Sequence, residues 1–267
     1  MSAPPLLHVE NLNVRFTGAH GEVSAVSNFS VSVAPGECVA IVGESGAGKS
    51  QAFLAIMGLL AANGRASGAA RFESVNLIGA TTATLDRIRG ARLSMIFQNP
   101  MTCLTPHLRI GDQVAEVLVR HTGASWRVAR ARALAMLARV QLPDVARRVL
   151  QYPHELSGGM RQRVMIAMAL ACDPPLVIAD EPTTALDVTI QAQILALLYE
   201  LKRERRMALV LITHDFGVVA ALAERVIVMR AGNIIEAAPV ATLLRTPAHP
   251  YTRSLLRAAA HLEDACA

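Results

Sequence analysis

A short apolar run, Cys38–Val42, is followed at once by a glycine-rich loop and then by a segment of helical character from Lys49 to about Leu60. Continuous apolar runs of this length are typical of strands buried on both faces, as in parallel sheets covered by helices. A strand, a glycine loop and a helix in direct succession therefore predict an α/β chain built around a parallel sheet.

The loop itself, Gly43–Ser50 (the P-loop below), matches the pattern G-x-x-x-x-G-K-S. Glycines let backbone N–H groups turn inward around phosphate oxygens, and the start of the helix adds partial positive charge. The Lys49 ammonium can reach β- and γ-phosphates, and the Ser50 hydroxyl can bind Mg²⁺. We therefore predict a site for a nucleotide's phosphates. Its candidate residues are Gly43, Glu44, Ser45, Gly46, Ala47, Gly48, Lys49, Ser50 and Gln51.

A second apolar run, Leu176–Ala179, ends in the acidic pair Asp180 and Glu181. Ligands of parallel α/β sheets bind at the carboxyl ends of the strands, where this pair is expected. Asp180 is the candidate metal ligand, and Glu181 is placed to orient or deprotonate an attacking water. Two acidic residues could also simply cap a turn, but a P-loop in the same chain favours the catalytic interpretation.

Before the P-loop the chain has β character. Leu6–Phe16 and Val23–Val33 show an interrupted alternation of apolar and polar residues, and Thr17–Glu22 between them is expected to be a loop. From about Arg87 to Gly159 the chain changes character, with helical periodicity at Gln113–Arg120 and Trp126–Val140, which predicts a helical subdomain. The segments expected after residue 90 are helices at Gln113–Arg120, Trp126–Val140, Ile190–Arg205 and Phe216–Ala223, and strands at Leu93–Phe97, Leu176–Asp180, Ala208–Thr213 and Arg225–Met229.

Composition limits the class of protein. Apolar residues make up 52% of the chain, yet runs such as Ala208–Ile212 are far shorter than the roughly 18–20 residues that span a membrane. No signal peptide is recognisable, so a peripheral membrane role is expected. The net charge is +5, with arginines gathered in Trp126–Arg148. Because no aromatic residues are interleaved with them, a solvated helix face near anionic lipid or a protein partner explains them better than nucleic-acid binding.

The segment Leu156–Arg163 reads L-S-G-G-M-R-Q-R and resembles the signature sequence of ABC transporter ATPases. Ser157, Gly158 and Gly159 begin a predicted helix there, which makes a second N-terminus suited to an anion. A helix cap would explain Ser157 alone but not the whole match. In the family, the signature of one subunit closes on the γ-phosphate held by another in a head-to-tail dimer, and the resemblance implies the same here.

Further residues match the family residue by residue. Gln98 resembles the Q-loop glutamine, which touches the metal and the water, and His214 resembles the switch histidine, which contacts the γ-phosphate. Asp187 resembles the D-loop aspartate at the dimer interface. Phe16 stands where the family has an aromatic residue stacked on adenine, although a strand phenylalanine is commonly core. The implied catalytic residues are Glu181, His214 and Gln98, and the implied metal ligands are Ser50, Gln98 and Asp180.

The resemblance implies an α/β fold of the P-loop NTPase class. Its RecA-like core would carry an antiparallel β subdomain and an inserted α-helical signature subdomain. A single ATPase domain is expected at residues 6–256, with the helical insertion at about 87–159 and a short C-terminal tail at 257–267. ATP and Mg²⁺ are the implied cofactors.

The sequence in and around these motifs resembles the peptide/nickel importer branch of the family. The matching segments are Gln98–Thr102, Tyr152–Glu155, Met165–Leu170, Ala179–Gln193 and His249–Thr252. Members energise import of di- and oligopeptides, or alternatively of nickel or nickel chelates, delivered by an extracytoplasmic binding protein. The implied partners are two transmembrane permease subunits and a second, non-identical ATPase, with this chain on the cytoplasmic face of the cell membrane.

The sequence departs from the peptide importer pattern in two places, and two other kinds of ABC ATPase are alternatives. Many peptide importers carry clustered C-terminal cysteines for an iron–sulfur centre, whereas here only Cys266 lies near the end, so no cluster is expected; this shorter tail is similar to nickel-type members. Gln51 stands where threonine is common, with little effect on hydrolysis expected. Ribosome- or DNA-acting ABC ATPases typically carry a second ATPase half or a long coiled-coil insertion, and this sequence shows neither.

A non-hydrolytic regulatory subunit would lack Lys49, Glu181 or His214, and all three residues are present. Both alternatives are therefore less well supported than a transporter ATPase.

Overall fold

The computed structural model describes residues 4–19, 21–183 and 188–266. The strands are β1 (Leu7–Gly18), β2 (Gly21–Val33), β3 (Cys38–Val42), β4 (Gly64–Phe72), β5 (Val75–Asn76), β6 (Leu93–Ile96), β7 (Leu176–Asp180), β8 (Ala208–Ile212), β9 (Arg225–Arg230) and β10 (Asn233–Pro239). The helices are α1 (Lys49–Ile56), α2 (Thr82–Ile88), α3 (Pro100–Cys103), α4 (Ile110–Thr122), α5 (Trp126–Arg139), α6 (Val145–Arg148), α7 (Gly158–Leu170), α8 (Val188–Arg205), α9 (Phe216–Leu222), α10 (Val240–Arg245) and α11 (Pro250–Cys266).

The chain forms two compact units, of which the first comprises the segments before Asp86 and after Met207. In this unit β1 pairs with β2 and β4 in an antiparallel sheet that β5 completes. The strand β3 is parallel to both β8 and β9, and β10 pairs with β9 antiparallel. Every residue of β3 and β8 is buried, which explains why both are continuous apolar runs.

Helix α1 lies against the antiparallel sheet of the same unit. Phe53 of the helix and Phe29 of β2 meet edge to face, with ring centroids 5.8 Å apart, and both side chains are fully buried. Edge-to-face packing is a favourable arrangement for two aromatic rings. The contact fixes the helix that begins directly after the P-loop.

Two predicted boundaries in this unit are wrong. The segment Thr17–Glu22, expected to be a loop, begins and ends in strand, since Thr17 and Glu22 pair as strand residues. Their side chains are exposed, so no buried face imposes an alternation that the sequence could display. Helix α1 ends at Ile56 rather than Leu60 because Gly58 adopts a left-handed φ of 61° and closes the helix with a hydrogen bond to the Ala55 carbonyl.

The second unit comprises Asp86–Met207. Its strands β6 and β7 are parallel, with Leu93 opposite Leu176 and Ile96 opposite Ala179. Helices α3, α4 and α5 all contact α7, which is largely buried. The helices predicted at Gln113–Arg120, Trp126–Val140 and Ile190–Arg205 are confirmed as α4, α5 and α8. Across the described ranges of the whole chain, no helix has both the length and the apolar character needed to cross a bilayer.

Candidate active site

The P-loop joins β3 to α1, and two of its glycines are required by close backbone contacts. A Cβ on Gly43 would lie 2.3 Å from the Met229 carbonyl oxygen, and one on Gly48 would lie 2.3 Å from the Ala25 carbonyl oxygen. Gly48 also has a φ of +93°, which side-chain-bearing residues rarely adopt. Neighbouring backbone therefore holds the loop in a shape that only glycine permits at these positions.

The Lys49 side chain is 6% exposed and folds back over the loop. Its ammonium donates hydrogen bonds to the carbonyl oxygens of Gly43, at 2.7 Å, and Glu44, at 2.9 Å. Ser50 follows in the first turn of α1, while the loop residues Glu44 and Ser45 are exposed. A glycine cradle, a helix N-terminus and a buried ammonium together fit the phosphates of a nucleotide.

His214 leaves the parallel strands at the same edge as the P-loop. Ile212, the last residue of β8, pairs with Ile41 of β3, and the Thr213 N–H donates to the Ile41 carbonyl oxygen at 3.1 Å. Two parallel strands in register end level with one another, so the P-loop and His214 emerge side by side. The His214 side chain is exposed.

Phe16 belongs to β1, in the antiparallel sheet. Its ring is half-buried and lies over Gly64 of β4, where an added Cβ would come within 2.7 Å of the ring. The ring thus has a packing function of its own. Its role toward adenine stays a prediction from the resemblance.

In the second unit, the parallel pair β6 and β7 brings three predicted residues to one edge. Asp180 ends β7 and is 6% exposed, and Glu181 follows it. Gln98 lies two residues beyond β6, and its amide donates to the Glu181 carboxylate at 2.7 Å. Glu181 has a φ of +45°, an unfavourable backbone conformation for a residue with a side chain. The glutamine and the acidic pair therefore form one cluster at the strand ends.

The signature sequence begins helix α7. The Ser157 hydroxyl caps this helix by accepting the Met160 N–H at 3.4 Å. Gly159 lies so close to Ile190 of α8 that an added Cβ would approach a side-chain methyl group to 2.9 Å. A groove of about 640 Å³ runs along these residues, with the cations Arg148 and Arg163 in its lining. Asp187, the predicted D-loop residue, lies outside the described residues.

Two side chains to which the sequence patterns assign no role lie beside the site: one contacts the residue after Glu181, and the other contacts the P-loop. Gln162 of α7 is 3% exposed and donates to the Pro182 carbonyl oxygen at 2.5 Å, one residue after Glu181. No local pattern marks this residue, because Gln162 lies between Arg161 and Arg163 in the polar first half of α7. Tyr251, in the segment His249–Thr252, reaches the P-loop and receives the Glu44 N–H at 3.4 Å.

Comparison with known proteins gives concordant results. The sequence model of the ABC transporter family matches residues 26–184, more than half of the chain. The oligopeptide transport ATP-binding protein OppD of Haemophilus influenzae is 51% identical over 97% of this chain and 80% of its own length. OppD of Escherichia coli is 49% identical over 98% of this chain and 77% of its own length.

Solved structures agree in fold. The ATP-binding cassette MJ0796, in a dimeric post-hydrolysis state bound to ADP and phosphate, is 31% identical with a TM-score of 0.79, covering 88% of this chain and 98% of its own. CbiO1 of Clostridium perfringens, part of the ABC transporter complex cbiONQ, is 25% identical with a TM-score of 0.75, covering 98% and 100%. The predicted α/β fold of P-loop NTPases is thereby confirmed. The chain belongs to the ABC transporter family, as the nucleotide-binding subunit that hydrolyses ATP for a transporter.

Proposed function

We propose that this chain energises the import of di- or oligopeptides through an ABC transporter. The P-loop carries the proposal, because its glycine cradle and its buried Lys49 ammonium form a site for the phosphates of ATP. The peptide cargo is inferred from the relatives that are about half identical to this chain, which are named for oligopeptide transport. Phe16 is the proposed contact for adenine.

Hydrolysis is proposed to depend on Glu181. Its carboxylate would accept a proton from the water whose oxygen attacks the γ-phosphorus, as the bond to the bridging oxygen of ADP breaks. The Gln98 amide, 2.7 Å from that carboxylate, would orient it toward the water. His214, at the edge where the P-loop emerges, would contact the γ-phosphate.

Mg²⁺ is the proposed cofactor, and the oxygen donors present suit it. The ligands that the resemblance implies are the Ser50 hydroxyl, the Gln98 amide oxygen and the Asp180 carboxylate, and each supplies a hard oxygen donor of the kind that Mg²⁺ prefers. The ion, when bound, neutralises charge on the phosphates. Asp180 is well placed to hold a cation because β7 delivers it, nearly buried, to the end of the strand.

The signature sequence has features that fit a nucleotide held by a second ATPase subunit. Ser157, Gly158 and Gly159 offer a capped helix N-terminus and a groove with two arginines beside it. We propose that this surface closes on ATP held by a second, non-identical ATPase, with Asp187 at the interface between them. The pair would sit at the cytoplasmic face of the cell membrane on two permease subunits, served by an extracytoplasmic binding protein.

Reconstitution in proteoliposomes with the cognate permeases, partner ATPase and binding protein tests the proposal. We expect ATP-dependent uptake of a radiolabelled tripeptide, and its loss when Lys49→Ala removes the ammonium from the P-loop. Uptake of radioactive Ni²⁺ in place of the peptide would overturn the assignment of peptides as the transported substrate. Peptide uptake by the Lys49→Ala variant at the wild-type rate would overturn the role of the P-loop.

A further inference from the structure

Tyr251 joins the start of α11 to the P-loop, 207 residues earlier in the chain. The side chain is 7% exposed and packs in an apolar cluster that includes Val42, the residue before the P-loop, and Val228 of β9. Its hydroxyl oxygen lies 3.4 Å from the backbone nitrogen of Glu44 and accepts that N–H. The ring is thus anchored in the core while the hydroxyl reaches the first turn of the loop.

The backbone around Tyr251 is itself held in place. The Glu236 carboxylate of β10 accepts the N–H groups of Ala248, at 2.7 Å, and His249, at 3.0 Å. The Tyr251 N–H donates to the His249 ring at 3.1 Å. Burial raises the pKa of the Tyr251 hydroxyl, although the Glu44 N–H acts in the opposite direction, so the group is neutral at physiological pH.

A second contact holds the other end of the same loop. The turn after β9 places the Gly232 N–H 3.1 Å from the Ala47 carbonyl oxygen. Arg230, next to this turn, stacks its guanidinium 4.7 Å from the centre of the Tyr251 ring. The two contacts to the P-loop, at Glu44 and at Ala47, therefore belong to one connected group of residues.

We propose that Tyr251 is a positioning residue for ATP, which fixes the first peptide of the P-loop in the shape that binds phosphate. The inference rests on the proposed role of the P-loop. A P-loop that is already held in its binding shape loses less conformational entropy when ATP binds. The affinity for ATP is therefore higher. The Lys49 ammonium restrains the carbonyl oxygens of Gly43 and Glu44, and the Tyr251 hydroxyl adds a restraint on the Glu44 N–H.

The Tyr251→Phe variant tests the inference because it removes the hydroxyl and keeps the buried ring and its stacking with Arg230. The matched control is Tyr199→Phe, which alters a tyrosine of α8 that also stacks on an arginine but is 38% exposed. A hydrogen bond of 3.4 Å is long, so we expect Tyr251→Phe to weaken binding of a fluorescent ATP analogue by about two- to fivefold. The control is expected to bind as the wild type does.

Hydrogen exchange of the full chain without nucleotide gives a second readout. We expect faster exchange in Tyr251→Phe at the peptide containing Glu44 and unchanged exchange in β7. Faster exchange throughout the chain would show a general loss of stability and overturn the positioning role, as would wild-type nucleotide affinity. The Lys49→Ala variant separates the two proposals: if it binds the analogue normally, the P-loop assignment fails, whereas normal binding by Tyr251→Phe alone overturns only the role of Tyr251.

Discussion

At the scale of single residues, Glu181 combines an unfavourable backbone with a polar partner. A left-handed conformation costs a residue with a side chain about 1–2 kcal/mol, and Glu181 adopts one with φ at +45°. The surrounding structure must hold it there, and such strain is concentrated at functional sites. The Gln98 hydrogen bond to its carboxylate fixes the side chain as well, so the carboxylate has a defined direction.

Replacing this carboxylate should stop hydrolysis without preventing binding. In Glu181→Gln we expect phosphate release to fall by about 10²- to 10⁴-fold, because the amide cannot accept a proton from water. ATP should still bind, and a nucleotide-bound dimer of this variant with the partner ATPase should accumulate. A single-turnover assay measures the hydrolysis, and gel filtration measures the dimer. The control is Glu73→Gln, an exposed glutamate that also has a positive φ, of 53°. Near-wild-type phosphate release in Glu181→Gln would remove Glu181 from the proton-accepting role.

At the scale of elements, the strand, loop and helix around the P-loop follow from the local sequence, and their ends depend on glycine. The strand Cys38–Val42 has the bounds predicted for it, because a strand buried on both faces is apolar throughout. Helix α1 ends earlier than the sequence predicts because Gly58 acts as a left-handed terminator inside an otherwise apolar run. The sequence predicts no elements at β4 or β10, where exposed and buried positions do not alternate regularly.

Gly48 should be much less tolerant of substitution than another glycine in the same backbone region. In Gly48→Ala the new methyl group would meet the Ala25 carbonyl oxygen, and we expect a loss of at least about 2 kcal/mol in the free energy of unfolding. The control is Gly123→Ala at the end of α4, where φ is +68° and an added Cβ meets nothing within 4 Å. Here only the backbone cost of about 1 kcal/mol is expected. Equal losses in urea denaturation would contradict the close contact at Gly48.

At the scale of the whole molecule, the C-terminal segment is tied to the rest of its unit through Glu236. Burial acts to raise the pKa of this carboxyl, but the nearby Thr252 hydroxyl and the N–H groups of Ala248 and His249 outweigh it, so the pKa lies below its usual value. A carboxylate with a depressed pKa stabilises the fold above its unfolded pKa of about 4.3 and loses that contribution as the pH falls through the folded value. The attachment of α11 is therefore acid-sensitive.

The Glu236→Gln variant should show this dependence. We expect its melting temperature to lie below that of the wild type at pH 7, with the difference shrinking as the pH falls below about 4. Glu116→Gln removes an exposed carboxylate of α4 and matches the change in net charge. A difference between Glu236→Gln and the wild type that stays constant from pH 7 to pH 3 would contradict the proposed contribution of the charge.

The sequence by itself determined the α/β class, the P-loop, the acidic pair after β7 and the signature sequence. Each of these is a pattern among near neighbours, so its chemistry is visible in one stretch of chain. Only the tertiary structure decided that the Gln98 amide meets Glu181, that Gln162 meets Pro182 and that Tyr251 reaches Glu44. These partners lie between 20 and 207 positions apart. Their pairing depends on strand register and on the packing of whole helices, which no local pattern encodes.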